Sequence, residues 1–363
     1  MSQRQTQIDL MKGLLVVAMI WGHVGMMLGK PDSYAWDAFF FVAAAGVFSG
    51  FFFCYGFAVW WSYFNRPVFP RQRMLSAALK CYAAYLISGC AYRILLQGQK
   101  PDVHLLLTAG LLVRIPEMSE FLLAFALIIL IAALFPAMIR LATRSPRSFA
   151  AFSLVCLALT RLHVPSAWPP IVGLFLSQPK SDCFPVILYL PLFLMGAFVA
   201  RHRLPYNRVA AMIAGAVFVM FCVAGVMRHR YVTPDRFPPN AVWIIGSAAI
   251  VYLFLGIGIA ARRLPRIAQN YLNATGQSVL YYLVLSNLLI FALAALGYAY
   301  RLNVLDRNLT FLFLMAVLLF LQSIVVDYKH ATKAAMEEPE RSMPGMRRPP
   351  ERVPAGAMPS GEE

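Results

Sequence analysis

The chain has 363 residues, 60% of them hydrophobic and 13% charged, with a formal net charge of +16 at pH 7 and a mean hydropathy of +0.65. Soluble domains carry about 25% charged residues, so the composition excludes a soluble globular fold and points to a polytopic membrane protein. The basic balance then reads as Lys and Arg gathered in cytoplasmic loops; a nucleic-acid binder needs a basic face on a soluble domain, and none is visible.

Residues 8–24 form an apolar helix with Asp9 and Lys12 near its start and His23 near its end. From Lys12 to His23 the helix turns about 1100°, so the two side chains share a face roughly 16 Å apart along the axis. Ionisable groups inside a bilayer are costly and tend to line cavities. Lys12 also fits a plain anchor, and His23 a hydrogen-bonded packing residue. The stretch is long, contains His23 and lacks a small-residue cleavage site, so it is expected to be an uncleaved first span.

A crossing takes about 20 apolar residues. Spans are predicted near 10–28, 38–61, 76–96, 120–140, 148–163, 184–200, 207–227, 240–260, 278–299 and 309–327. The shorter run 103–115 is expected to be re-entrant or interfacial. Omitting it puts the arginine clusters 66/71/73, 140/144/147, 201/203/208 and 262/263/266 on one side, as the positive-inside rule requires. The expected fold is an all-α, polytopic transmembrane bundle of about ten spans with both termini cytoplasmic. His23 then belongs to the outer half of the membrane and Lys12 to the inner mouth.

Ser49-Gly50 in the second span suits close helix packing. Arg71 and Arg73, ahead of the third span, serve either as anchors or as phosphate-binding guanidinium groups. Pro116, Ser119 and the acids Glu117 and Glu120 suit a helix start; the carboxylates also lie on the side toward which His23 points. Pro238-Pro239-Asn240 suits a fixed turn and another helix start. Of six cysteines, five lie in apolar segments and only Cys183 in an outer loop, so no disulfide framework and no metal site is expected. Residues 1–328 read as the transmembrane domain. From 329 the chain turns to Pro, Glu, Arg, Met and Gly, expected to be a disordered cytoplasmic tail.

The pattern Ile8-Asp9-x-x-Lys12-Gly13, then apolar residues to Gly22-His23, resembles the first helix of the acyltransferase 3 family of integral-membrane acyltransferases. There a basic residue, usually Arg, precedes the proposed catalytic His by ten intervening residues. Phe48-Ser49-Gly50-Phe51, the basic segment at Arg71 and Arg73, Phe237-Pro238-Pro239-Asn240, and the helix opening at Gly276 are similar to further family elements. Ser286 stands where many members carry a second His, so that role is not carried over.

The resemblance implies an O-acyltransferase moving an acetyl or other acyl group from cytoplasmic acetyl-CoA (acyl-CoA) to a sugar hydroxyl. The acceptor would be a surface polysaccharide, an exopolysaccharide or a lipid-linked oligosaccharide, at a bacterial inner membrane and amid membrane lipid. His23 is the implied general base or transient acyl carrier, with Glu120 orienting it. Lys12, Arg71 and Arg73 would hold the donor phosphates. Asp9, Glu117, Arg236 and Asn240 are the candidate substrate-binding residues. The alternative is a transporter or flippase of a lipid-linked or anionic glycan; the paired repeats and broken helices common in transporters are not detectable.

Overall fold

The computed structural model describes residues 6–30, 34–162, 164–165, 168–176, 178, 184–227 and 239–341. Among them the chain is helical, with no named strand. The helices are α1 (Thr6–Leu28), α2 (Tyr34–Val59) extended by a π-helical turn (Trp60–Phe64), α3 (Arg71–Leu95), α4 (Val103–Gly110), α5 (Glu120–Leu134), α6 (Pro136–Ala142) and α7 (Pro146–Leu159). They continue with α8 (Pro170–Gly173), α9 (Val186–His202), α10 (Arg208–Val226), α11 (Ala241–Ala260), α12 (Arg266–Gln277), α13 (Val279–Leu293) extended by a second π turn (Ala294–Tyr298), and α14 (Val304–Arg341). Residues up to Leu314 form one compact unit, and those from Met315 a second.

Among the described residues seven helices are long and apolar enough to cross a bilayer, or eight if α5 and α6 count as one crossing; α7 and α9 are apolar but shorter. The run at 103–115 yields only the eight residues of α4, about 12 Å of helix. The straight span expected over 120–140 is broken: α5 ends at Leu134 and the chain bends by 94° into α6. Pro136 gives the reason, since it lacks an N–H and its ring clashes with the preceding turn of a continuing helix. Helix α14 runs through residues 329–341, while 342–363 lie outside the described residues.

Two close crossings set the bundle. A Cβ at Gly56 of α2 would lie 1.9 Å from the Phe193 carbonyl oxygen, and one at Gly196 of α9 the same distance from that of Phe53. Likewise a Cβ at Gly13 of α1 would lie 2.2 Å from the Leu272 oxygen, and one at Gly276 of α12 only 1.9 Å from that of Asp9. Glycine lets these backbones touch, which is how membrane helices pack where burial supplies no drive. The space between α2, α5 and α9 is filled by rings, with Phe52 stacked on Phe125 at 4.9 Å and on Tyr189 at 5.4 Å. Elsewhere apolar side chains such as Ile213, Val219 and Met220 of α10 are exposed, as a lipid-facing surface requires.

The far end of α1 is tied down by backbone. Leu302 N–H donates to the Leu28 carbonyl (2.8 Å), Lys30 N–H to that of Leu302 (2.9 Å), and Tyr300 N–H to that of Met27 (3.2 Å). Gly297, with φ 93°, provides the left-handed turn that brings this loop back from α13. The Trp21 indole donates to Asn308 Oδ1 at 2.8 Å. These ties hold the last turns of α1 beside α13, and that juxtaposition makes the site.

Candidate functional site

His23 faces a side chain that no motif singled out. Its Nδ1 lies 3.1 Å from Oδ1 of Asn287 on α13. Asn287 is buried, and its Nδ2 lies 3.0 Å from Ser88 Oγ and 3.5 Å from the Met118 carbonyl oxygen. A carbonyl only accepts, so the NH₂ of Asn287 faces Met118 and its oxygen faces the imidazole. His23 therefore donates its Nδ1–H, and in the neutral ring the lone pair sits on Nε2, the atom a general base uses. Met118 is held at φ 61°, a left-handed conformation that costs a non-glycine residue about 1–2 kcal/mol.

His23 and Asn287 line a cavity of about 170 Å³ together with Glu117, Glu120, Phe48 and Phe121. Tyr92 donates its hydroxyl hydrogen to Glu117 Oε2 at 2.8 Å. Glu120 occupies the first turn of α5 and is 8% exposed, where the helix N-terminus favours a carboxylate. Imidazole and carboxylates thus share one apolar-walled space.

A second cavity of about 230 Å³ lies at the Lys12 end, lined by Lys12, Phe51, Cys54, Tyr55, Cys81 and Gly276 among others. Lys12 Nζ is 2.6 Å from Asp9 Oδ1. Leu122 and Leu283 line both cavities, so a pair of leucines is all that the two linings have in common. Lys12 and His23 sit on the same helix, one at each cavity, about 16 Å apart by helical rise.

The other predicted residues divide. Asp9 belongs with Lys12 and lines neither cavity. Arg71 donates Nε–H to the Ala133 carbonyl (3.1 Å) and Nη2–H to that of Leu134 (3.4 Å), which neutralises the C-terminus of α5. Arg73 is exposed and, like Cys81 of the second cavity, within electrostatic reach of Tyr63. Asn240 caps α11, its Oδ1 accepting from Trp243 N–H at 2.9 Å, and lines neither cavity. Arg236 lies outside the described residues. Sequence reasoning missed Asn287, Ser88, Leu122 and Leu283. The legible signal was an amide inside the apolar run 279–293, next to the Ser286 that drew attention instead; Ser286 bonds back to the Leu283 carbonyl of its own helix at 3.3 Å. The five described cysteines are free thiols, and Cys183 lies outside the described residues.

An all-helical multi-pass membrane protein with an imidazole and two carboxylates in one cavity, backed by a lysine-lined second cavity, fits the class of membrane transferases. Comparison with protein families makes this specific. The heparan-alpha-glucosaminide N-acetyltransferase catalytic family matches residues 4–232, well over half of the chain, and the protein belongs to that family of membrane acetyltransferases. The membrane-acetyltransferase reading holds, while the match is not to the acyltransferase 3 family specifically. A basic residue and a histidine eleven positions apart on an apolar helix form too short a signature to separate such families. No curated protein and no solved structure matches. The matched region holds α1 to α10 and so most of both cavity linings, whereas Gly276, Gln277, Val279, Leu280, Leu283 and Asn287 lie beyond it.

Proposed function

We propose that the protein transfers an acetyl group from acetyl-CoA, arriving at the cytoplasmic face of a bacterial inner membrane, to a sugar of a surface polysaccharide or lipid-linked oligosaccharide on the outer side. The observation that carries this reading is the pair of cavities meeting at Leu122 and Leu283, with Lys12 in one and His23 in the other. The slender pantetheine arm suits the apolar second cavity, and Lys12 and Arg73 supply positive charge toward the donor's phosphates. The acceptor enters the His23 cavity. Its nucleophile attacks the thioester carbonyl, His23 Nε2 takes the proton, the C–S bond breaks, and the imidazolium returns the proton to the CoA thiolate. Asn287 keeps the base in the required tautomer throughout.

Two carboxylates beside the base favour a sugar amine, held as ammonium until one proton passes to a carboxylate, after which the free amine attacks and His23 takes the second proton, in keeping with the glucosaminide N-acetyltransferase name of the family. A sugar hydroxyl, the acceptor expected from the sequence, uses the same base and is the second reading.

Proteoliposomes supplied with acetyl-labelled CoA and amino-sugar or neutral oligosaccharides test both. Label is expected on the amino sugar, and His23→Ala should lower the rate by about 10²–10⁴-fold, the range for loss of a general base. Undiminished transfer by His23→Ala removes the mechanism. No transfer to either acceptor, with glycan export impaired in cells carrying that variant, favours the transporter.

A further inference from the structure

A second polar assembly lies away from both cavities, where the π turn Trp60–Phe64, the helix break at Pro136 and the end of α9 converge. Arg201 donates Nη1–H to the Arg140 carbonyl (2.5 Å) and to Thr143 Oγ1 (3.2 Å), and its guanidinium lies 5.0 Å from the Trp60 ring centroid. Arg140 stands 5.9 Å from the Phe64 ring, and Arg203 5.9 Å from that of Trp61. His202 Nε2 is 3.0 Å from the Thr143 carbonyl oxygen, and Arg144 is within electrostatic reach of Arg201. Trp60 and Phe64 stack at 5.2 Å, so the guanidinium groups rest on an aromatic floor.

Positive-inside placement explains arginines on this face but not why they converge, since like charges repel. The segments 60–76, 135–148 and 199–209 contain no Asp or Glu, and among the described residues no carboxylate pairs with these four arginines. A further donor waits beside them: the Trp61 indole nitrogen is buried and has no acceptor among the described residues. The assembly therefore offers several N–H groups to an acceptor that the chain does not supply. Planar guanidinium groups on aromatic faces are the residues of choice for phosphate, and basic pockets between helices on this side of a membrane take anionic headgroups. Phe135, Leu141 and Leu204 are exposed apolar side chains in the same segments. They suit acyl chains and carry no hydrogen-bonding group for the edge of a nucleobase.

We infer that Arg140, Arg144, Arg201 and Arg203, with the Trp61 indole, form a binding site for the phosphate headgroup of an anionic phospholipid, separate from the acetyl-transfer cavities.

The full chain, purified in mild detergent and reconstituted in nanodiscs, tests this. Wild type is expected to retain phosphatidylglycerol over phosphatidylcholine by mass spectrometry, and to gain several degrees of thermal stability when a quarter of the nanodisc lipid is phosphatidylglycerol. Arg140→Gln/Arg201→Gln should lose at least tenfold of that preference and most of the gain. Arg262→Gln/Arg263→Gln, which removes equal charge elsewhere, should keep both. Equal losses in the two double variants would show attraction by net charge alone and overturn the site. Stabilisation by inorganic phosphate in place of the lipid, or stabilisation by CoA that Arg140→Gln/Arg201→Gln abolishes, overturns the lipid assignment; CoA stabilisation that survives in that variant belongs to the donor cavity. If the Arg140/Arg201 variant does not fold, Trp61→Phe, which removes the N–H while keeping an aromatic ring of smaller size, must still weaken retention; unchanged retention there overturns the site as well.

Discussion

The crossing of α1 and α12 offers a sharp quantitative test, because glycine there is required by backbone contact and not by backbone conformation. In Gly276→Ala the new methyl would sit 1.9 Å from the Asp9 carbonyl oxygen and 2.9 Å from both the Asp9 carbonyl carbon and the Gly13 nitrogen. Ordinary contact begins near 3.4 Å, so the helices must separate by about 1.5 Å, and neither obstacle is a side chain that can swing aside. Overpacking costs about 1–3 kcal/mol, and the upper end applies where both partners are backbone. With an unfolding entropy near 2.1 cal/mol/K per residue, a chain of 363 residues loses roughly 4 °C for 3 kcal/mol. Gly215→Ala on α10 is the control, since its added Cβ meets nothing within 4 Å; relief of glycine's helix penalty, about 0.5–1 kcal/mol, should raise the midpoint by about 1 °C. Tryptophan-fluorescence melts of the solubilised protein would read the opposite signs. Because Asp9 holds Lys12 and Gly276 lines the second cavity, Gly276→Ala should also blunt stabilisation by CoA. Equal melting of the two variants would refute the backbone-contact reasoning.

Four further outcomes follow, three of them at the site. Asn287→Leu removes the acceptor of His23 Nδ1–H, a bond that becomes charge-assisted as the imidazolium forms and is then worth about 1.5–3 kcal/mol, so turnover should fall by roughly 10–100-fold. Asn287→Asp places a negative charge beside the ring and favours its protonated form; with Glu117 and Glu120 unchanged in the same cavity, the acidic limb of the pH–rate profile should move to higher pH, which a purely packing role for Asn287 would not produce. Leu122→Trp fills the boundary between the cavities and should abolish acetyl transfer while leaving CoA-induced thermal stabilisation intact; loss of both would show that the new ring obstructs the donor cavity, whose lining Leu122 shares, and would refute a role confined to the boundary. Asn240→Ala should cost about 1 kcal/mol of stability, as loss of an N-cap does, with turnover per folded molecule unchanged, and a fall in turnover would return Asn240 to the acceptor site.

Much of the architecture is written locally. Apolar length fixes where helices form, as at Thr6–Leu28 and Ala241–Ala260, because every backbone group inside a bilayer must be satisfied within its own segment. The Lys12–His23 face follows from helical repeat alone, and so does the placement of these two groups at different depths. A proline two residues after Leu134 also announces the break that the hydropathy of 120–140 concealed.

What the chain order could not disclose is which helix meets which. Asn287 is 264 positions from His23, and nothing in either neighbourhood states that a π turn and Gly297 will bring the loop at 298–302 against the end of α1. The sequence leaves Glu117 and Glu120 open between helix-start acids and neighbours of His23, and the fold puts both in the His23 cavity; it leaves Asn240 open between a helix start and a substrate contact, and the fold shows its side chain closing the first turn of α11. The sequence by itself determined the helices, the solvent they were made for and the residues whose charge is costly there, since those depend on composition and a fixed helical repeat. Only the tertiary structure decided which of those residues share a cavity, because that depends on glycine-mediated contacts and cross-chain hydrogen bonds between segments hundreds of residues apart.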